Sequence, residues 1–258
     1  MIDWDDAFDN SSYVPGSDGL AAAWGAAAAE WRDSRGGTLD ISYGPGARNR
    51  LDLFRPEGAA KGLVVFVHGG YWQKLDKSFW SHFAAGPLSR GWALAVPSYT
   101  LAPEARLGRM VEEVRASIEE AARHVAGPVR LAGHSAGGHL VARMACADGP
   151  LPDRLDRVIS ISGIHDLRPL LGTRMNEVLH LDAVEAEAES PAQLSRRAGL
   201  SVTCWVGANE RPELVRQTRL LSEAWDVPNV FDPGHDHFSV VAELGRPGSA
   251  LLTELLKD

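Results

Sequence analysis

From residue 37 onward, short apolar runs alternate with longer amphipathic ones, and this alternation is the strongest constraint on the fold. The run GLVVFVHGG at 62–70 is apolar at consecutive positions and stops at two glycines. A strand with one solvated face alternates in polarity, whereas a strand buried on both faces does not. WALAVPSY, PVRLAGHS, RVISISG, SVTCWVGA and NVFDPG repeat the pattern further along. TLDISY and NRLDLFRP, joined by the turn-rich GPGA, read as an antiparallel hairpin. These runs predict about eight strands.

Between the strands the period changes. Over 110–125, Val111, Val114, Ile118, Ala121, Ala122 and Val125 share one face, which predicts a helix. Residues 137–147 predict a small-residue helix directly after a strand, and 249–257 a terminal helix. Alternating strand and helix predicts an α/β chain, with a mostly parallel central sheet and helices on both faces. No repeat, low-complexity tract or linker divides it, so 1–258 reads as one domain.

Two stretches stand outside the alternation. Residues 1–36 hold an Ala/Trp helical segment at 20–32. Residues 164–200 read as several short helices, with Asp182 and Glu185 as a capping box and Ser190-Pro191 as a helix start. A long insertion of this second kind reads as a small helical cap over a site.

Composition excludes several classes of function. A net charge of −8 argues against a sequence-independent grip on nucleic acid, and the 26 basic residues form no stripe. Cys146 and Cys204 lie in apolar surroundings and read as reduced core thiols. The acidic start MIDWDDAFDN is unlike a signal peptide, and the Ala-rich stretch 20–29 is far short of a membrane span. A cytoplasmic protein with no nucleic-acid or membrane partner is expected.

The chemistry concentrates at Gly133-His134-Ser135-Ala136-Gly137, a G-x-S-x-G pattern between a strand and a helix. A turn this sharp needs small neighbours and lifts Ser135 above the C-terminal edge of the sheet. The helix starting there aims free N–H groups at a developing oxyanion. His68-Gly69-Gly70-Tyr71-Trp72 follows another strand as an HGGG-type loop. The expected oxyanion donors are the N–H groups of Gly70, Tyr71 and Ala136, with Gly69 allowing the turn and His68 bracing it.

A hydroxyl nucleophile needs a base and an orienting carboxylate. His235 and His237 both follow the last strand. His237 is preferred as the base, because Phe238 beside it can pack against the ring. The acid belongs after the preceding strand, where Glu210 comes first and Glu213 and Asp232 compete. His235-Asp236-His237 also has the look of a metal pair, but no third ligand set with clear spacing accompanies it. No metal and no cofactor are expected.

Together these residues resemble the α/β-hydrolase superfamily, in its hormone-sensitive-lipase-like branch. The His-Gly-Gly loop and Tyr99-Thr100-Leu101-Ala102-Pro103-Glu104 carry that likeness. His68-Gly69-Gly70-Tyr71-Trp72 is similar to the HGGYW signature of kynurenine formamidases. Gly163-Ile164-His165-Asp166-Leu167-Arg168-Pro169-Leu170 and His237-Phe238-Ser239-Val240-Val241 are further matches, and the likeness runs from about residue 40 to the end. It implies an α/β-hydrolase fold and hydrolysis of the N-formyl amide of formylkynurenine. It also implies a triad of Ser135, Glu210 and His237, and it is compatible with a homodimer. Glu210 stands where Asp is commoner, and either carboxylate can orient a histidine.

Substrate selection is less legible. Tyr71 and Trp72 adjoin the oxyanion loop and are the expected substrate contacts. The eight tryptophans, with Trp4, Trp24 and Trp31 in the N-terminal segment and Trp72 and Trp80 after the oxyanion loop, offer an aromatic lining for a pocket. Against this, Trp24 and Trp31, seven residues apart, read as a packing stripe. Arg168 and Arg174 are candidate partners for a substrate carboxylate, against a plain solvated role. A short-acyl carboxylesterase of the same branch and a non-catalytic binding module remain the alternatives.

Overall fold

In the computed structural model, which describes residues 2–149 and 154–257, the eight expected strands form one sheet. They are β1 (Thr38–Ser42), β2 (Arg50–Phe54), β3 (Leu63–Val67), β4 (Ala93–Pro97), β5 (Val129–His134), β6 (Leu155–Ile161), β7 (Ser201–Gly207) and β8 (Asn229–Asp232). Their order is β1-β2-β4-β3-β5-β6-β7-β8. The hairpin partners β1 and β2 are antiparallel, as are β2 and β4, and every other pair is parallel. This is the α/β-hydrolase arrangement read from the sequence.

The continuous apolar runs follow from burial on both faces. Leu63, Val65 and Val67 of β3 enter one core, while Val64 and Phe66 enter the other. The principal helices are α1 (Leu20–Arg35), α2 (Leu107–His124), α3 (Ala136–Met144), α4 (Pro212–Trp225) and α5 (Ala250–Leu256). Helices α2, α3 and α4 cover the first face. Leu251, Leu252 and Leu255 of α5, with Trp24 and Trp31 of α1, pack against the second. The free cysteines lie in the first core, and burial pushes their thiols up to about 11 at Cys146 and about 12 at Cys204.

Helix α4 is absent from the sequence expectations, and its burial pattern explains why. Between Leu214 and Leu221 it buries Gln217 and Thr218. The Gln217 amide oxygen accepts from the N–H groups of His165 and Asp166, both at 2.8 Å. A polar residue buried for such a purpose interrupts the apolar stripe that periodicity detects.

The 164–200 stretch holds short helical turns, with two local corrections. Asp182 caps its helix by accepting from Glu185 N–H at 2.8 Å. The Glu185 carboxylate does not close a box, because it pairs with Arg106. Ser190 makes no cap either. Its hydroxyl accepts from Leu167 N–H and donates to the Ala186 carbonyl, and Pro191 opens only a single 3₁₀ turn. Among the described residues no helix is long and apolar enough to cross a membrane.

Strand order sets the site. The chain steps outward from β3 to β4, then returns to β5 on the other side of β3. Such a reversal opens a crevice at the C-terminal strand ends.

Candidate active site

Strand β5 ends at His134 and α3 begins at Ala136, leaving Ser135 alone at the junction with φ 56° and ψ −119°. Such a conformation costs a non-glycine residue on the order of 1–3 kcal/mol and persists only when its surroundings impose it. Here Ser135 N–H donates to the Ile161 carbonyl at 2.8 Å, and its own carbonyl accepts from His139 N–H at 3.1 Å. A Cβ at Gly137 would lie 2.0 Å from the Val67 carbonyl oxygen, so only glycine fits beneath the turn.

The pairing Val67↔Gly133 brings the loop after β3 beside Ser135. Gly70, Tyr71 and Trp72 have φ of 112°, 57° and 58°, three positive values in succession. At Gly70 a Cβ would also meet the Lys74 carbonyl oxygen at 2.3 Å. Among the described residues, the N–H groups of Gly70, Tyr71 and Ala136 donate to no protein acceptor. Backbone donors clustered in this way favour an anion. His68 braces the loop: its Nδ1–H donates to the Gly69 carbonyl at 2.7 Å, and its ring stacks on Tyr99 at 4.6 Å. Burial pulls the His68 imidazole down to about 4, so it is neutral at pH 7.

Glu210 and His237 meet from the loops after β7 and β8. His237 Nδ1–H donates to Glu210 Oε2 at 2.7 Å, which leaves the basic lone pair on Nε2. Glu210 Oε1 accepts from Gly207 N–H at 2.8 Å and from the Ser162 hydroxyl. The competing carboxylates are engaged elsewhere: Glu213 with Arg216 and Gln217, and Asp232 with the Trp205 indole N–H. His237 packs edge-on against Phe238 at 5.2 Å. His134 donates its Nε2–H to the His237 carbonyl at 2.8 Å. Burial first, and then the neighbouring His237, holds the His134 imidazole well below its ordinary value. No hydrogen bond joins Ser135 Oγ to His237 among the described residues, although both line one pocket. Such contacts commonly tighten only once substrate is bound.

That pocket has a volume of about 140 Å³ and is walled by Trp24, Leu75, Trp80 and Phe238 beside Tyr71, Ser135 and His237. The two expected substrate contacts separate here. Tyr71 lines the pocket, but Trp72 is fully buried in the core, where its indole N–H donates to His139 Nδ1 at 3.3 Å. Arg168 and Arg174 do not line the pocket; they pair with Asp166 and Asp5. No residue of 164–200 lines it either, and the covering role falls to the N-terminal segment through Ser11, Ser17, Ala21 and Trp24. Sequence reasoning missed Ser162 and His134, which act across the fold, whereas Trp24 and Trp80 of the tryptophan set do line the pocket. His235-Asp236-His237 does not act as a unit: Asp236 accepts from the N–H groups of Phe238 and Ser239, while His237 turns to Glu210. Among the described residues no group of three or more His, Cys, Asp or Glu could hold a metal ion.

Known proteins resemble this chain in sequence and in fold. The family model described as the alpha/beta hydrolase fold matches residues 64–204. The kynurenine formamidase of Salmo salar is 33% identical over 243 residues, covering 84% of this chain and 80% of that protein. The kynurenine formamidase of Danio rerio is 32% identical, with the same two coverages of 84% and 80%. A crystal structure from Silicibacter sp. TM1040, provisionally assigned as a thioesterase, superposes with TM-score 0.95 at 45% identity over 99% of both chains. The chain is therefore a hydrolase and belongs to the α/β-hydrolase fold family, alongside the kynurenine formamidases.

Proposed function

We propose that the chain is a cytoplasmic serine hydrolase that cleaves the N-formyl amide of an aryl formamide such as N-formyl-L-kynurenine. The observation that carries this reading is the Glu210–His237 hydrogen bond set beside Ser135 in an aromatic pocket. The likeness to kynurenine formamidases over most of the chain supports the substrate class.

His237 Nε2 takes the Ser135 hydroxyl proton as Oγ attacks the formyl carbon. The carbonyl π pair moves to oxygen, which the N–H groups of Gly70, Tyr71 and Ala136 receive. When the C–N bond breaks, the imidazolium returns its proton to the leaving aniline nitrogen. Water, deprotonated by His237, then attacks the formyl ester, and formate leaves as Ser135 recovers its proton. An aniline nitrogen is a better leaving group than an alkyl amine, which suits this machinery to formanilides.

A second reading, cleavage of short oxygen or thio esters, is favoured by the provisional assignment of the Silicibacter relative. The test is kcat/KM of purified protein on N-formyl-L-kynurenine, p-nitrophenyl acetate and a short acyl thioester. The proposal expects the formamide to rank first. Negligible formamide turnover beside efficient ester or thioester cleavage selects the second reading.

A further inference from the structure

The loop that carries the oxyanion donors also carries a cation that the acyl-transfer steps do not use. Among the described residues Lys74 is the one Lys or Arg lining the pocket, and no Asp or Glu lines it. Its backbone is fixed by the donor loop: Lys74 N–H donates to the Gly70 carbonyl at 2.9 Å. The Lys74 carbonyl in turn occupies the space that a Cβ on Gly70 would need. The cation and the donors therefore ride on one turn.

Elsewhere the lysines near carboxylates are neutralised. Lys77 pairs with Asp40 and Asp52 at 2.8 and 2.7 Å, and Lys257 pairs with Glu254 at 2.7 Å. Lys74 has no carboxylate partner among the described residues. Burial holds the pocket histidine His134 neutral, and Lys74 lines the same pocket. Lys74 is solvent-exposed beside the aromatic wall, so its charge acts through water and weakens with added salt. On a chain of net charge −8, whose overall field repels anions, a single unpaired cation at this pocket is a local exception.

We infer that Lys74 binds a carboxylate of the substrate while the scissile carbonyl rests on the oxyanion donors. The inference rests on the formamidase reading, and it makes the preferred substrate an anionic aryl formamide. It also gives the recognition task to Lys74 rather than to Arg168 or Arg174, which are paired away from the pocket.

The experiment compares kcat/KM for N-formyl-L-kynurenine with that for its α-carboxamide, which keeps the size and removes the negative charge. In wild-type enzyme the ratio favours the acid and declines as salt is added. Lys74→Met lowers the ratio about fivefold at most, the upper range for one exposed ion pair, and Lys74→Arg restores it. An unchanged ratio in Lys74→Met, with both compounds hydrolysed, overturns the role of Lys74 and leaves the formamidase reading standing. Hydrolysis of neither compound by the wild-type enzyme overturns both.

Discussion

The two halves of the site are built on opposite principles. In the Glu210–His237 half, polar groups are matched inside the protein. Glu210 accepts three hydrogen bonds, and His237 is held through both its Nδ1 and its backbone carbonyl. In the Ser135 half, the backbone is strained at Ser135, Tyr71 and Trp72, and three N–H groups are left without protein acceptors. A group that must keep one orientation gains from being fully bonded. A group that must meet a transient oxyanion has to stay unsatisfied until the substrate supplies the charge. The strain is tolerated because strands β3, β5 and β6 fix both sides of the turn.

Substitutions can break this contrast, beginning with the largest effect. Ser135→Ala and His237→Ala each lower kcat roughly 10⁴–10⁶-fold. His235→Ala changes it by no more than about twofold, as for an ordinary substitution away from the chemistry. Steady-state assays on the preferred substrate read all three, and robust turnover by His237→Ala refutes the assignment of the base.

Gly70→Ala comes next. Its Cβ meets the Lys74 carbonyl and its φ is unfavourable for alanine, so the donor loop must shift. The expected cost is about 10²–10³ in kcat, as for a lost oxyanion donor. Stopped-flow acylation rates check it, and a rate within a few-fold of wild type places the donors elsewhere.

Ser162→Ala removes one of three donors to Glu210 but leaves the Gly207 N–H in place. A loss of about tenfold in kcat with little change in KM is expected, because a hydrogen bond to a charged group contributes roughly 1.5–3 kcal/mol. A change confined to KM contradicts a positioning role.

The smallest effect is on stability in acid. His68 takes up a proton near pH 6.5 in the unfolded chain, but only at about 4 when folded. Its contribution is complete above 6.5 and is lost as pH falls towards 4, by about 1.4 kcal/mol per pH unit. Denaturant titrations at pH 7 and 5.5 test this, since His68→Asn loses about 1 kcal/mol less than wild type between those values. Equal losses remove His68 from the account.

The sequence disclosed the sheet well because burial on both faces leaves an unbroken apolar run, as in Leu63 to Val67. Chain order and strand ends also led to Ser135, Glu210 and His237, of which Glu210 and His237 are hydrogen-bonded and Ser135 shares a pocket with His237. The sequence could not separate Tyr71 from Trp72. Adjacent in the chain, one reaches the pocket and the other the core, because two consecutive positive φ values redirect the backbone. Nor could it reveal Ser162 and His134, whose partners lie 48 and 103 residues away. The covering segment was hidden for a related reason, since periodicity describes a helix and not where it docks.

That covering segment adds no strand to the sheet. It is fastened by side chains: Arg211, next to Glu210, grips the Asp6 carboxylate and the Asp9 carbonyl, Arg174 holds Asp5, and the Tyr71 hydroxyl accepts from Asn10 N–H. It is also anchored by packing, with Phe8 in the first core and Trp24 and Trp31 against the second, and Arg32 donates to Ser78 and Ser81. Because Ser11, Ser17, Ala21 and Trp24 line the pocket without joining the sheet, substitutions there reshape what the pocket admits and leave the strand register around Ser135 unchanged.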